Sequence, residues 1–516
     1  MAKNEKNKII NKKITRFGYI LDKKSLSDEQ IREIKSDLTV KPFKMGNYGK
    51  FSKKDDSFPL FQENGDYMGV PKYYGLEKFG EPDINRLEEY QFPKQKMKYT
   101  GLLRPRQQII VDKVIDGFEK QRGGLLLAGC GVGKTNMAIY LACKYQLKTL
   151  FIVHKTFLKD QVINRIKSTT NIKKVGIIQQ KKVDTNHPFV VGMVQSLAKI
   201  DYNDEIFKDF GMIIIDEVHH MGARNFSKVY QKMSAKYMLG ISAERKRNDG
   251  LYKIINWFMG PILHAEEQKP NDMVVVKKFH YKTSNKERIK VINNKYTGEP
   301  DRSTMVTNLV HIKKRNRFII NIIKELFDQG KNILCLTGRL KQVNLLYNLL
   351  TGNKYLKDSV GKYIGGMSEY DLGISATKQI ILGTYGMAEE GLDIENLNVV
   401  ILCTPKSAIK QSVGRILRKE VYEEHPIVID IIDDDNDIFK KQSRTRDDYY
   451  CKQEYNIQDF YISDYDIDKH KLWNNTKFIK KALEKVPPKN KGKLIKKQLK
   501  KVITQINLDE LDFLDD

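Results

Sequence analysis

From about residue 101 onward, short and uniformly apolar runs alternate with longer stretches of helical periodicity. The apolar runs fall at 124–128, 149–153, 189–193 and 212–215. Between them, 135–145 and 157–168 have the apolar spacing of amphipathic helices. Strands with no polar face, alternating with helices, predict a parallel sheet covered on both sides. The rhythm pauses near Gly260-Pro261, passes a polar stretch at 283–303, and resumes with runs at 332–336, 379–383, 399–403 and 427–431. The expected fold class is therefore α/β, with two tandem lobes of similar build at 101–265 and 266–445. No internal sequence repeat relates them.

The flanks follow another pattern. Residues 1–16 are basic and polar, and 17–100 carry clustered aromatics and prolines (Phe58-Pro59-Leu60-Phe61, Val70-Pro71-Lys72-Tyr73-Tyr74). They are expected to form a small N-terminal accessory domain with a basic leader. Beyond about Lys441 the pattern fades, so 446–516 is expected to be a C-terminal extension. It holds a Lys-rich run at 477–501, broken by Pro487-Pro488, and an acidic tail at 509–516. A run of that kind is read first as a solvated tail and second as a binding arm.

Composition narrows the function. With 91 Lys and Arg against 64 Asp and Glu, the chain of 516 residues carries a formal charge of +27. That favours a polyanionic partner, although Lys and Asn enrichment also follows from a biased genome. The five cysteines (Cys130, Cys143, Cys335, Cys403, Cys451) form no CxxC pair and no zinc-ligand spacing. They read as reduced thiols of an intracellular protein. The N-terminus lacks the apolar core of a signal peptide, and no apolar run approaches a membrane span.

The chemistry is concentrated in three segments. Ala128-Gly129-Cys130-Gly131-Val132-Gly133-Lys134-Thr135 follows an apolar run and opens a helical one. This is the phosphate-loop pattern: glycines turn backbone N–H groups inward, and the helix start adds its positive end. Lys134 reaches the outer phosphates of ATP, and Thr135 ligates Mg2+. Next, Met212-Ile213-Ile214-Ile215-Asp216-Glu217 ends an apolar strand on two carboxylates. Asp216 is the expected Mg2+ holder, and Glu217 the group that orients and deprotonates water. Third, Gln411-Ser412-Val413-Gly414-Arg415-Ile416-Leu417-Arg418 sets two arginines three positions apart. On a helix they share one face. They are either arginine fingers for a phosphoryl transition state or an ordinary basic face.

Taken in order, these segments resemble the superfamily 2 helicases, from about Leu103 to Arg418. Leu103-Arg104-Pro105-Arg106-Gln107 looks like the LRPxQ element, whose glutamine, here Gln107, contributes to the nucleotide site in relatives. Asp216-Glu217-Val218-His219 is a DExH box, and 411–418 fits QxxGRxxR. The resemblance implies two RecA-like lobes with ATP used between them. It implies cofactor-binding roles for Gln107, the loop from Ala128 to Thr135 including Cys130, and Asp393. Catalytic roles fall to Lys134, Asp216, Glu217, Gln411, Arg415 and Arg418. His154, Lys155, Gln195, Ser196, Arg339 and Thr384 would border nucleic acid. His219, Ser242, Ala243, Glu244 and Gly391 would couple hydrolysis to movement. Glu244 and Arg245 stand where relatives carry Thr and Pro, which puts unwinding in question more than ATP hydrolysis.

Within the superfamily the chain looks most like the transcript-release helicases of large cytoplasmic DNA viruses. The pointers are Val70-Pro71-Lys72-Tyr73-Tyr74-Gly75, Asp249-Gly250-Leu251, and Pro426-Ile427-Val428-Ile429-Asp430 running on to Tyr449-Tyr450. This implies a DNA-directed motor of transcription or repair, in contact with transcription machinery and acting in host cytoplasm or the virion. The alternatives are an RNA or DNA–RNA remodeller with the same engine, and a nucleotide-gated scaffold that grips without turnover. No nuclease site is expected, since Asp433-Asp434-Asp435 reads as a solvated turn.

Overall fold

The computed structural model describes residues 12–41, 57–88, 95–129, 131–222, 228–243, 252–266, 272–387, 392, 394, 396–417, 424–465 and 467. Of the basic leader, residues 12–16 are described and Lys12–Thr15 is a strand, not a solvated segment. Residues 1–11, the Lys-rich run and the acidic tail lie outside the described residues. The chain forms two compact units, Met1–Gln268 and Lys269–Asp516.

Unit 1 begins with a five-stranded sheet in the order Gln62–Asn64, Tyr67–Val70, Gly18–Asp22, Lys12–Thr15, Ile84–Asn85. Two helices, Asp28–Leu38 and Lys72–Phe79, accompany it. Ser27 and Gln30 close a capping box on the first, satisfying two of its free N-terminal donors. The second lies so close to the sheet that a Cβ on Gly75 would stand 2.2 Å from Tyr19 Cγ. Tyr19, Leu21, Ile34 and Leu38 share one core with Ile254, Trp257 and Phe258 of the following lobe. Tyr74 meets Trp257 edge to face at 5.5 Å, and the buried Lys72 Nζ donates to Ala235 O and Lys236 O, both at 3.2 Å. The Val70–Gly75 pointer is thus a seam holding this module to the lobe.

The lobe itself is an eight-stranded sheet. Its strands are β1 (Gly123–Leu127), β2 (Thr149–Val153), β3 (Gly176–Gln179), β4 (Lys182–Asp184), β5 (Phe189–Met193), β6 (Met212–Asp216), β7 (Tyr237–Ser242) and β8 (Ile262–Ala265). The order is β4-β3-β5-β2-β6-β7-β1-β8, parallel except for the β3–β4 hairpin. Helices α1 (Pro105–Gln121), α2 (Lys134–Tyr145), α3 (Thr156–Thr169), α4 (Val194–Lys199) and α5 (Tyr252–Met259) cover it. Alternate strand residues serve opposite faces: Leu125, Leu127, Ile213 and Ile215 enter one core, and Leu126, Ala128, Met212 and Ile214 the other. That double burial is why these strands read as unbroken apolar runs.

Unit 2 is a seven-stranded, wholly parallel sheet. Its strands are β9 (Val275–Lys282), β10 (Ile333–Thr337), β11 (Val360–Tyr363), β12 (Ile380–Thr384), β13 (Val399–Leu402), β14 (Ile427–Asp433) and β15 (Asn456–Ser463), in the order β11-β12-β10-β13-β14-β9-β15. Its described helices include α6 (Arg302–Leu309), α7 (Lys313–Asp328), α8 (Leu340–Thr351), α9 (Glu369–Ala376), α10 (Lys410–Val413) and α11 (Asp437–Lys452), besides a single turn at Lys286–Ile289.

The solvated-turn expectation for Asp433-Asp434-Asp435 is corrected. β14 continues to Asp433, whose carboxylate is buried and takes Arg315 Nε at 2.6 Å and Nη2 at 2.9 Å. Asp434 pairs with His280 and Asp435 with Lys286, both across to the β9 side. Among the described residues no helix is long and apolar enough to cross a membrane.

Candidate nucleotide site and nucleic-acid interface

In a parallel sheet the loops after the strands gather along one edge, where open α/β folds place their sites. The loop after β1 is the phosphate loop. Gly131 (φ +82°) and Gly133 (φ +89°) take left-handed conformations that side chains rarely adopt. Gln107, near the start of α1, buttresses the turn: its Nε2 donates to Val132 O at 2.8 Å, and its Oε1 accepts from Arg104 N at 2.9 Å. A Cβ on Gly133 would stand 2.2 Å from that Nε2. Lys134 Nζ donates to Ala128 O (3.0 Å) and Gly129 O (3.1 Å), arching over the loop just ahead of the start of α2. Left-handed glycines, a helix start bearing Thr135 and an ammonium over the loop mouth fit a nucleoside triphosphate.

The loop after β6 presents the carboxylates. Burial and the adjacent Glu217 charge push Asp216 up to about 6, against the pull of Lys134. Burial acts upward on Glu217 as well, but a hydrogen bond from His219 and the Lys134 charge outweigh it and hold that carboxyl at about 2. Asp216, with Thr135, has the oxygen chemistry to hold Mg2+ beside phosphates. Glu217 is held at φ +47°, and its backbone N–H donates to Asp216 Oδ1 at 3.0 Å. His219 Nδ1 lies 2.8 Å from Ser242 Oγ and 3.2 Å from Glu217 Oε2, and Ser242 Oγ is 3.5 Å from that same Oε2. Ser242 O also accepts from Ala128 N at 3.0 Å, so the end of β7 touches both the carboxylate network and the root of the phosphate loop. Ala243 follows, buried.

The expected nucleic-acid border lies along the same edge, away from β1. His154 and Lys155 follow β2, and Gln195 and Ser196 open α4 after β5. Gln195 Nε2 donates to His154 O, joining the two loops. The His154 and His220 rings meet at a tilt of 46° with centroids 4.5 Å apart, and His220 lies 4.1 Å from His219, so the border is in ring contact with the carboxylate network.

In unit 2, Arg415 is nearly buried, and its Nη1 donates to Leu392 O at 2.8 Å. The expectation of one helix carrying both arginines is corrected: α10 ends at Val413, and Arg415 follows in a turn after Gly414. Glycine disfavours helix continuation by about 1 kcal/mol. Gln411 is partly buried on α10, and Thr384 closes β12 at the sheet's edge. Arg339 is engaged internally, donating to Thr307 Oγ1, Ser303 O and Ser303 Oγ of α6. Cys130, Glu244, Gly391, Asp393 and Arg418 lie outside the described residues.

Sequence reasoning passed over the tie between Asp430, Arg446 and Tyr450. Asp430 Oδ2 accepts from Arg446 Nε at 2.8 Å and from the Tyr450 hydroxyl at 3.0 Å, and all three residues are buried. Asp430 and Tyr450 stood in the sequence as family pointers, and their contact gives that spacing its physical reason.

Residues 100–247 match the family described as "Type III restriction enzyme, res subunit". A protein of Acanthamoeba polyphaga mimivirus named as an ATP-dependent RNA helicase (L396) is 65% identical over 514 residues, covering 98% of this chain and 99% of that protein. Helicase 161L of Invertebrate iridescent virus 6 is 26% identical, covering 68% of this chain and 81% of its own length. Helicase D10 of Escherichia phage T5 is 27% identical, covering 58% and 66%. Among solved structures, S. cerevisiae Dbp5 bound to RNA and ADP BeF3 aligns over 71% of this chain and 95% of that one, at 11% identity and a TM-score of 0.47. The near full-length identity to the mimivirus protein, joined to the motif order from Gln107 to Arg415, places this chain in the superfamily 2 helicases, among viral ATP-hydrolysing members.

Proposed function

We propose that this helicase is a nucleic-acid-stimulated ATPase that translocates on DNA in viral transcription or repair. One observation carries the motor reading: the Glu217–His219–Ser242 network joins the carboxylate site to the phosphate loop, and the His219–His220–His154 rings join it to Lys155 and Gln195. A strand held at that border can thereby bias the group that handles water, and hydrolysis can bias the grip.

In this reading Lys134 binds the outer phosphates, Asp216 and Thr135 hold Mg2+, and Glu217 accepts the proton of the attacking water. Bound Mg2+ supplies charge neutralisation at the phosphates. Gln411, Arg415 and Arg418 belong to the hydrolytic machinery, with the two arginines placing positive charge on the transferred phosphoryl group. Asp393 joins the nucleotide contacts, and Gly391 and Glu244 the coupling. The DNA assignment follows the resemblance to the transcript-release branch, which also suggests work beside transcription machinery in host cytoplasm. RNA is the second reading, favoured by the name of the mimivirus relative.

ATP hydrolysis measured with duplex DNA, single-stranded DNA, RNA and DNA–RNA hybrid separates the readings. The proposal expects the largest stimulation with a DNA-containing substrate. Stimulation by RNA alone would move the protein to RNA remodelling, and none by any of the four would remove the motor reading.

A further inference from the structure

The β3–β4 hairpin was not anticipated, and its tip is held where the proposed nucleic-acid border would continue. β3 pairs with β5, β5 with β2 and β2 with β6, all parallel, so Gln179, Met193, Val153 and Asp216 end on one edge. The hairpin turns back at Gln180-Lys181, with Gln179 opposite Lys182. It stands two strands beyond β2, on the order of 10 Å at the usual strand spacing.

The tip is built rather than slack. Gln180 takes a left-handed φ of +51°, uncommon for a residue with a side chain. Its N–H donates to Ser196 Oγ at 2.9 Å, and its carbonyl accepts from the Tyr202 hydroxyl at 2.7 Å. Lys159 Nζ, from α3, donates to Gln179 Oε1 at 3.0 Å. Two elements that flank the border therefore fix the turn: α3, which follows Lys155, and α4, which carries Ser196. Lys181 and Lys182 project from it, both exposed and neither ion-paired among the described residues. The nearby acids are engaged, Asp160 with Lys159 and Asp184 with His187.

We infer that this hairpin is the outer phosphate contact of the nucleic-acid track, with Lys181 and Lys182 gripping the sugar-phosphate backbone of a strand that passes Lys155 and Gln195. The inference rests on the motor reading and adds a place and a ligand chemistry to it. Lysines aimed at phosphates position a strand without reading its sequence, so the grip is sequence-independent. A competing role exists, because β4 is the edge strand and lysines on an edge discourage pairing with another chain. That role explains a charge on β4 but does not call for Ser196 and Tyr202 to hold the tip.

The test uses the full chain and a labelled single-stranded oligonucleotide, with affinity measured from about 50 to 200 mM salt. Each lost phosphate contact on a single strand lowers the slope of log affinity against log salt by about 0.7. The variant Lys181→Ala with Lys182→Ala is therefore expected to bind more weakly, with a slope shallower by about 1.4. Its deficit should shrink about sevenfold across that salt range. Lys181→Arg with Lys182→Arg should restore the wild-type slope. If the alanine variant keeps wild-type affinity and slope while Lys155→Ala lowers both, the hairpin is off the track and the motor reading stands. Self-association of the alanine variant with an unchanged slope would assign the lysines to guarding the edge. No salt-dependent binding by the wild type would overturn the motor reading together with the hairpin.

Discussion

Glu217 stands at φ +47° with its carboxylate shared between His219 and Ser242, an arrangement that costs backbone strain of roughly 1–3 kcal/mol and fixes where the carboxylate points. Strain of that kind fits a group whose position matters more than its contribution to stability. Glu217→Gln keeps the shape and removes the base, so ATP binding should survive while turnover falls by at least about a hundredfold, the usual scale of general-base loss. Lys134→Ala should abolish turnover by weakening the hold on the phosphates themselves. Equilibrium binding of a labelled ATP analogue, alongside steady-state hydrolysis, tells the two apart. Wild-type turnover in Glu217→Gln would take that residue out of the base role. These residues were legible in the sequence because phosphate chemistry demands fixed residue types at fixed spacing after an apolar strand. The contact of His154 with His220 was not, since 66 positions of sequence separate them and only the parallel order β2-β6 brings their loops side by side.

At the scale of elements, legibility followed burial. The central strands β1, β2, β5 and β6 announced themselves because both their faces are apolar. β9 and β15 did not, because their polar residues are buried in pairs: Lys278 with Asp447 and Asp459, and His280 with Asp434 and Asp459. A strand that buries ion pairs looks like a surface strand to any hydropathy pattern. The apolar start of β14 was legible, but its end was misread for the same reason: Asp433 meets Arg315, each almost fully buried. Removing one member of such a pair leaves an uncompensated buried charge, so Asp433→Ala should destabilise unit 2 by roughly 3–5 kcal/mol. Denaturant melts read by the exposure of unit 2 would report it, and a loss below about 1 kcal/mol, the scale of a surface pair, would contradict it. The seam at Lys72 makes a pH prediction. Burial, with Arg122 adding and Glu81 opposing, pushes Lys72 down from 10.5 to about 7. Between those values the unfolded chain holds the extra proton, so this group's contribution to stability rises with pH from about 7 to about 10.5. Lys72→Met should therefore show a smaller gain in melting temperature from pH 7 to about 9.5 than the wild type. Equal gains in the two proteins would mean that Lys72 is not the titrating group.

Over the whole molecule the question is what the second unit adds to the first. Unit 1 has its own two cores, one on each face of its sheet, and carries the phosphate loop, both carboxylates and the hairpin. Nothing in it supplies the pair of arginines that the motif order assigns to hydrolysis, because Arg415 and Arg418 belong to unit 2. If those arginines act on the nucleotide, a chain of residues 1–268 should fold and bind ATP yet hydrolyse it roughly a thousandfold more slowly than the full chain, the scale of an absent arginine finger. The full chain with Arg415→Ala should fall by a similar factor. Unit 2 should remain folded in that variant, because the hydrogen bond that Arg415 gives to Leu392 O is worth about 1 kcal/mol, small beside the sheet's apolar core. The two measurements constrain each other. A slow fragment beside a fast Arg415→Ala chain would mean that unit 2 helps through something other than Arg415, with Arg418 the next candidate. A fragment that turns over ATP like the full chain would mean that hydrolysis is complete within unit 1, and that the second unit serves only the grip on nucleic acid.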